Sequence, residues 1–99
     1  MVLEQALITV RPGTAGEFER ALGAARAVIA GAEGFVSLEA CRGIEHPDEY
    51  LLLIRWRTLE DHVDGFRGSE AFGRWRSLIG PFFAAPPLVT HFAPTAGPS

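Results

Sequence analysis

Residues 50–57, YLLLIRWR, form a strand pattern with apolar side chains on both faces. Tyr50, Leu52, Ile54 and Trp56 share one face, while Leu51 and Leu53 occupy the other before Arg55 and Arg57 take over. Helices of the same chain can cover one side of such a strand. The second side needs other cover, and the natural candidate is a second copy of the sheet.

The rest of the chain supplies the partners for that strand. Residues 2–10 alternate, with Leu3, Gln5, Leu7 and Thr9 against Glu4, Ala6, Ile8 and Val10, and Arg11-Pro12-Gly13 ends the run. From residue 14 to residue 30 the period lengthens. Phe18, Ala21, Leu22, Ala25, Val28 and Ile29 recur every three or four positions, which predicts an amphipathic helix. Thr14 and Glu17 have the spacing of a capping box, and Gly31 and Gly34 provide the exit. A second strand over 35–42 is joined to the third by the turn-rich loop 43–49, so the two are expected to pair antiparallel.

Thr58 and Asp61 open a short helix with Leu59, His62, Val63 and Phe66 on one face, cut short by Gly65 and Gly68. Ser69 then caps a further helix whose inward positions are Phe72, Trp75, Leu78 and Ile79, ended by Gly80-Pro81. Residues 88–92 form the last strand. The order β-α-β-β-α-β predicts an α+β fold of ferredoxin-like topology built on an antiparallel four-stranded sheet. One domain is expected over residues 1–93, with a flexible C-terminal tail rich in Pro, Gly, Ala and Ser over 94–99.

Composition narrows the function. Apolar residues make up 47% of the 99, a greasy balance for so short a chain and a hint of a subunit interface. A net charge of −3, with nine arginines scattered among twelve acids, lacks the dense positive stripe that nucleic acid requires. The lone Cys41 cannot form an internal disulfide and, in a strand-like run, is expected to be a small buried hydrophobe. The N-terminus carries Glu4 where a signal peptide would be basic, and no apolar run approaches the roughly 20 residues of a membrane span. A cytoplasmic protein with no membrane or nucleic-acid partner is expected.

One titratable group stands among rings. His62 follows Trp56 and precedes Phe66, Phe72, Trp75, Phe82 and Phe83, so it could be a general base, a metal or haem ligand, or a hydrogen-bond donor to a bound oxygen atom. A core histidine with satisfied hydrogen bonds fits the same pattern. The rings, likewise, are either core or the walls of a cavity for a flat hydrophobic ligand, with Arg67 or Arg55 as anchor for an acidic group or simply at the surface. His46 falls in a turn and His91 in the final strand, so no local metal motif forms and no metal site is expected. Dinucleotide, P-loop, nucleophile-elbow and Cys-x-x-Cys motifs are absent.

The run from Trp56 to Ser69, W-x-T-x-E-x-H-x-x-x-F-R-x-S, together with VLEQALITVRPG and GFVSLEACRGIEHPDEYLLLIRW, resembles the antibiotic biosynthesis monooxygenase family of dimeric α+β barrels. The resemblance covers nearly the whole chain. It implies a homodimer whose two sheets close into a barrel, with a pocket in each subunit between sheet and helices. The family histidine maps onto His62, implied as the catalytic base, and its strand-end tryptophan onto Trp56. With Phe66, Arg67, Phe72, Trp75 and Phe82, Trp56 would contact a small aromatic substrate of phenol or quinol type. The implied reaction is a cofactor-independent monooxygenation in which the deprotonated substrate passes an electron directly to dioxygen. The alternatives are a non-catalytic small-molecule-binding or structural homodimer, a haem-binding or haem-degrading protein, and a small-metabolite isomerase. The asparagine that the oxygenase and haem-degrading branches place in the site has no counterpart here, and Gln5 is the single side-chain amide in the chain.

Overall fold

The computed structural model describes residues 1–95. Strand β1 (Val2–Thr9) leads into helix α1 (Ala15–Ala30), then β2 (Phe35–Arg42) and β3 (Glu49–Trp56). A short π-helical segment (Asp61–Phe66), helix α2 (Glu70–Ile79), one 3₁₀ turn (Gly80–Phe82) and strand β4 (Leu88–Phe92) follow. The strands pair antiparallel in the order β2-β3-β1-β4, with α1 and α2 packed on one face. This is the ferredoxin-like α+β fold that the element order predicts. The expected flexible tail over 94–99 falls, beyond residue 95, outside the described residues.

Alternation along the two central strands builds the core. Ala6, Ile8 and Val10 from β1 and its extension, with Tyr50, Leu52, Ile54 and Trp56 from β3, face the helices and are all buried. Helix α1 answers with Phe18, Leu22, Ala25 and Ile29, at the three- and four-residue spacing that puts them on one stripe. Complete burial of Phe18 or Ile29 contributes about 1.5–3 kcal/mol each relative to exposure.

Two local expectations are replaced. Thr14 does not form a capping box with Glu17. Its hydroxyl donates instead to Arg11 O at 2.6 Å, closing the turn before the helix, and Phe18 N binds Thr14 O at 2.8 Å. Cys41 is exposed rather than buried, because β2 is an edge strand and Cys41 pairs with Leu51 on the face that the helices leave uncovered. Ser69 does cap α2. It is extended, accepts from Phe72 N at 3.4 Å and donates to Phe66 O at 2.6 Å.

Between Thr58 and Arg67 the chain takes a wider turn than an α-helix. Thr58 Oγ1 accepts from Asp61 N at 3.1 Å, as the Thr-x-x-Asp spacing predicts, but Arg67 N reaches His62 O at 3.0 Å, five residues back. The widened turn directs His62 and Phe66 together onto the sheet and leaves Leu59 and Val63 at 41% and 37% exposure. The four residues therefore do not share one buried face.

Candidate active site

The site begins with a carboxylate in an apolar row. Glu4 occupies the helix-facing side of β1, two residues before Ala6, and is only 5% exposed. An ionised carboxylate in such a place requires donors. Trp56, at the end of β3 and wholly buried, supplies one, its indole Nε1–H donating to Glu4 Oε1 at 2.9 Å. The second contact comes from the π-helical segment, which brings His62 Nε2 to 3.3 Å from the same oxygen. On the far side of that imidazole, Nδ1 lies 2.8 Å from Nε2 of His91. His91 arrives there because β4 pairs with β1 in the register that sets it opposite Glu4. Beneath His62, the Trp56 ring is stacked at 5.1 Å and 17°.

Burial decides the charges. Desolvation, helped by the Arg67 guanidinium and by His91, holds the His62 imidazole down at about 4, so it is neutral at pH 7 and its contact with Glu4 is a hydrogen bond rather than an ion pair. Desolvation pushes the Glu4 carboxyl up, against the pull of the Trp56 hydrogen bond and of Arg67. His91 is lowered by the same two causes, burial first and Arg67 second.

Glu4 and His62 open onto a cavity of about 710 Å³ between sheet and helices. Its floor is Ala6, Ile8, Leu52, Ile54 and Val89; its wall is Phe66, Phe72, Trp75, Ile79 and Phe83; its mouth is the segment from Ala84 to Pro87. Phe66 meets Phe72 and Trp75 edge to face, at 5.5 Å and 6.2 Å between centroids. Arg67 and Arg76 also line the space, and the Arg76 guanidinium lies 5.9 Å from the ring centres of both Phe72 and Phe83. A flat apolar molecule would meet rings and branched side chains on most of its surface, with one acid–imidazole pair and two guanidiniums as its polar neighbours.

Of the residues the sequence singled out, His62, Phe66, Arg67, Phe72 and Trp75 converge on this cavity. Trp56 does not line it but lies under His62 as the donor to Glu4. Phe82 turns the other way, edge-on to Phe18 at 6.1 Å, and its neighbour Phe83 takes the place at the wall. Arg55 is exposed on the opposite face of the sheet, paired with Leu3. Gln5 also points away from the cavity, between Leu53 and Thr90, so no side-chain amide enters the site.

Sequence reasoning passed over Glu4 and His91. For Glu4 a signal existed, a single acid in the apolar row Ala6-Ile8-Val10. For His91 there was none, because only the register between β1 and β4 brings it to His62. Both ring nitrogens of His62 are engaged, which leaves neither free for a haem iron. No group of three or more His, Cys, Asp or Glu among the described residues is placed to hold a metal ion, and no described helix is long and apolar enough to cross a membrane.

Comparison with known proteins gives a consistent set. Residues 1–78 match the family model described as antibiotic biosynthesis monooxygenase. The uncharacterized protein YczJ of Bacillus subtilis is 39% identical over 92 residues, covering 93% of this chain and 97% of its own. A crystal structure of an antibiotic biosynthesis monooxygenase-type protein from Bordetella bronchiseptica superposes with a TM-score of 0.92 at 37% identity, over 96% of this chain and 97% of that one. SnoaB, a cofactor-independent oxygenase from Streptomyces nogalater, has the same fold, with a TM-score of 0.82 at 18% identity over 97% and 94% of the two chains.

Proposed function

We propose, from the premise that this chain belongs to the antibiotic biosynthesis monooxygenase family, that it is a cofactor-independent monooxygenase of a small, electron-rich phenol or quinol. The observation that carries this reading is the buried Glu4–His62 pair opening onto a ring-walled cavity of about 710 Å³. A ring-walled cavity with one base and two guanidiniums in its lining suits a reaction whose intermediates are anions that water would quench. SnoaB, of the same fold, is itself described as a cofactor-independent oxygenase.

The base is the Glu4–His62 unit rather than the imidazole alone. His62 donates its Nε2 proton to Glu4 Oε1, and the second carboxylate oxygen of Glu4 takes the phenolic proton of the substrate. The phenolate passes one electron to dioxygen, and the radical pair combines to form a carbon–oxygen bond and a peroxide anion, which Glu4 protonates. Glu4 then removes the hydrogen from the same carbon as the O–O bond breaks and hydroxide leaves, to be protonated in turn. A phenol plus one dioxygen thus gives a quinone plus one water, with all four electrons supplied by the substrate. Arg67 and Arg76 favour the anionic stages electrostatically.

The same reading includes a homodimer. The sheet face away from the helices carries Leu3, Leu7, Leu51, Leu53, Leu88 and Phe92, with Leu88 68% and Phe92 50% exposed. A second copy laid on that face would bury a continuous apolar surface.

Oxygen-electrode assays on a panel of hydroxynaphthalenes and hydroquinones test the activity. One dioxygen consumed per quinone formed, without released peroxide and without added flavin or metal, is the expected result. No uptake above the uncatalysed rate across the panel would overturn it.

A further inference from the structure

We propose that His91 is a positioning residue that donates to His62 Nδ1 and so holds the imidazole with its only proton, on Nε2, aimed at Glu4. The inference deepens the reading of the Glu4–His62 unit as the base and rests on it for its catalytic meaning.

Two imidazole nitrogens 2.8 Å apart must share a proton, since two lone pairs at that distance repel. The proton can belong to His62 Nδ1 or to His91 Nε2. Glu4 Oε1 settles which, because it already draws the Trp56 indole proton and stands 3.3 Å from His62 Nε2. A neutral His62 has one proton to give. If it sits on Nδ1, the Nε2 lone pair faces a carboxylate oxygen; if it sits on Nε2, the carboxylate gains a second donor and Nδ1 accepts from His91. The second arrangement satisfies every contact in the cluster, and it requires His91 to be present as the donor.

The groups facing the pair are few. Glu4 comes from β1, His91 from β4 and Arg67 from the end of the π-helical segment, with Arg76 from α2 on the cavity wall. Arg67 cannot substitute for His91, because its positive charge disfavours the imidazolium of both histidines without donating to His62 Nδ1. His91 is half-buried at the outer end of the cluster, where a side chain can be exchanged without opening the core.

The resting protein tests this without any substrate. In ¹⁵N-histidine-labelled wild type at pH 7, long-range ¹⁵N–¹H spectra should show His62 protonated at Nε2 and bare at Nδ1. His91→Gln keeps an N–H donor and should keep that tautomer. His91→Phe removes that donor: Glu4 should still hold the proton on Nε2, while the His62 Nδ1 resonance moves downfield, toward that of an imidazole nitrogen with no donor. With an active substrate, His91→Gln should stay within about threefold of wild type, whereas His91→Phe should lose about tenfold in kcat, the imidazole no longer being held from that side. A wild-type His62 protonated at Nδ1, or a His91→Phe variant with an unchanged Nδ1 resonance, would overturn the proposal. Absence of turnover in the wild type would instead count against the oxygenase reading, with the tautomer decided by the spectra alone.

Discussion

Trp56 binds the same carboxylate oxygen that His62 faces, while its ring supports the His62 ring from below at 5.1 Å. One residue therefore both draws the Glu4 carboxyl down against the upward push of burial and supports the plane of its imidazole partner. Trp56→Phe keeps a ring and removes the donor. The expected result is a loss of about 2–4 kcal/mol in urea unfolding, from a broken hydrogen bond to a charged group plus a small void. A further rise in the Glu4 pKa should accompany it. A stable variant with unchanged Glu4 titration would show that the indole N–H does not govern the carboxylate.

Glu4→Gln preserves an acceptor for both Trp56 and His62 and removes the base. Folding should be intact and oxygen uptake reduced by about 10²–10⁴-fold, the usual contribution of a positioned base. His62→Ala should reduce uptake as well, through Glu4. Uptake lost in His62→Ala but kept in Glu4→Gln would make the imidazole the base.

The titration of the pair also shapes stability. Between about pH 6.5 and about pH 4 an unfolded chain protonates His62 while the native protein does not, so native stability falls as pH drops through that window, by up to about 3 kcal/mol. The lowered His91 contributes with the same sign. Glu4 acts oppositely: raised above 4.5, it holds a proton in the native state that the unfolded chain has released, and its contribution is lost as pH rises through its folded value. Removing the opposing group in Glu4→Gln should therefore steepen the fall of stability toward pH 4. Denaturation curves of both proteins at pH 4–7 measure the two slopes, and equal slopes would show that Glu4 does not titrate there.

Gly34 positions the segment that carries His62. Its φ is +82°, and an added Cβ would collide with the carboxyl group of Asp61, the residue before His62. Gly34→Ala should destabilise by about 2 kcal/mol or more, of which about 1–2 kcal/mol is the left-handed backbone. Adding Asp61→Ala should recover the part due to the carboxyl group, leaving the contact with the Asp61 Cβ and the backbone part. Strict additivity of the two substitutions would place the clash elsewhere.

The proposed dimer is tested on the open sheet face. Leu7 and Leu88 are direct cross-strand partners there. Leu7→Arg with Leu88→Arg should leave circular dichroism unchanged and convert a sedimenting dimer to a monomer at micromolar concentration. A wild type that already sediments as a monomer would remove the dimer from the proposal.

Strand and helix periods were legible because each depends on neighbours in sequence. The last strand, residues 88–92, matched its expected bounds, and the third strand shifted by one residue to Glu49–Trp56. The convergence of Phe72 and Trp75 was also readable, since one stripe of α2 carries both, while Phe66 joins them from the π-helical segment. Leu59 and Val63 leave the expected face because the α-helical period does not hold across a π turn, whose extra residue has no local composition signal. The Glu4–His62–His91 cluster was illegible for a different reason. It depends on contacts 29 and 52 residues apart in sequence, between His62 and His91 and between Trp56 and Glu4, which strand register creates and no spacing rule encodes.

The π turn at Asp61–Phe66 also bears on how such a site could be gained and lost. It differs from an α turn by one inserted residue, which is one codon. An in-frame deletion of that codon would tighten the turn, rotate the imidazole off Glu4 and leave the sheet, the helices and the cavity walls in place. In this chain, a pocket with the acid–imidazole pair and a pocket without it are therefore a single codon apart.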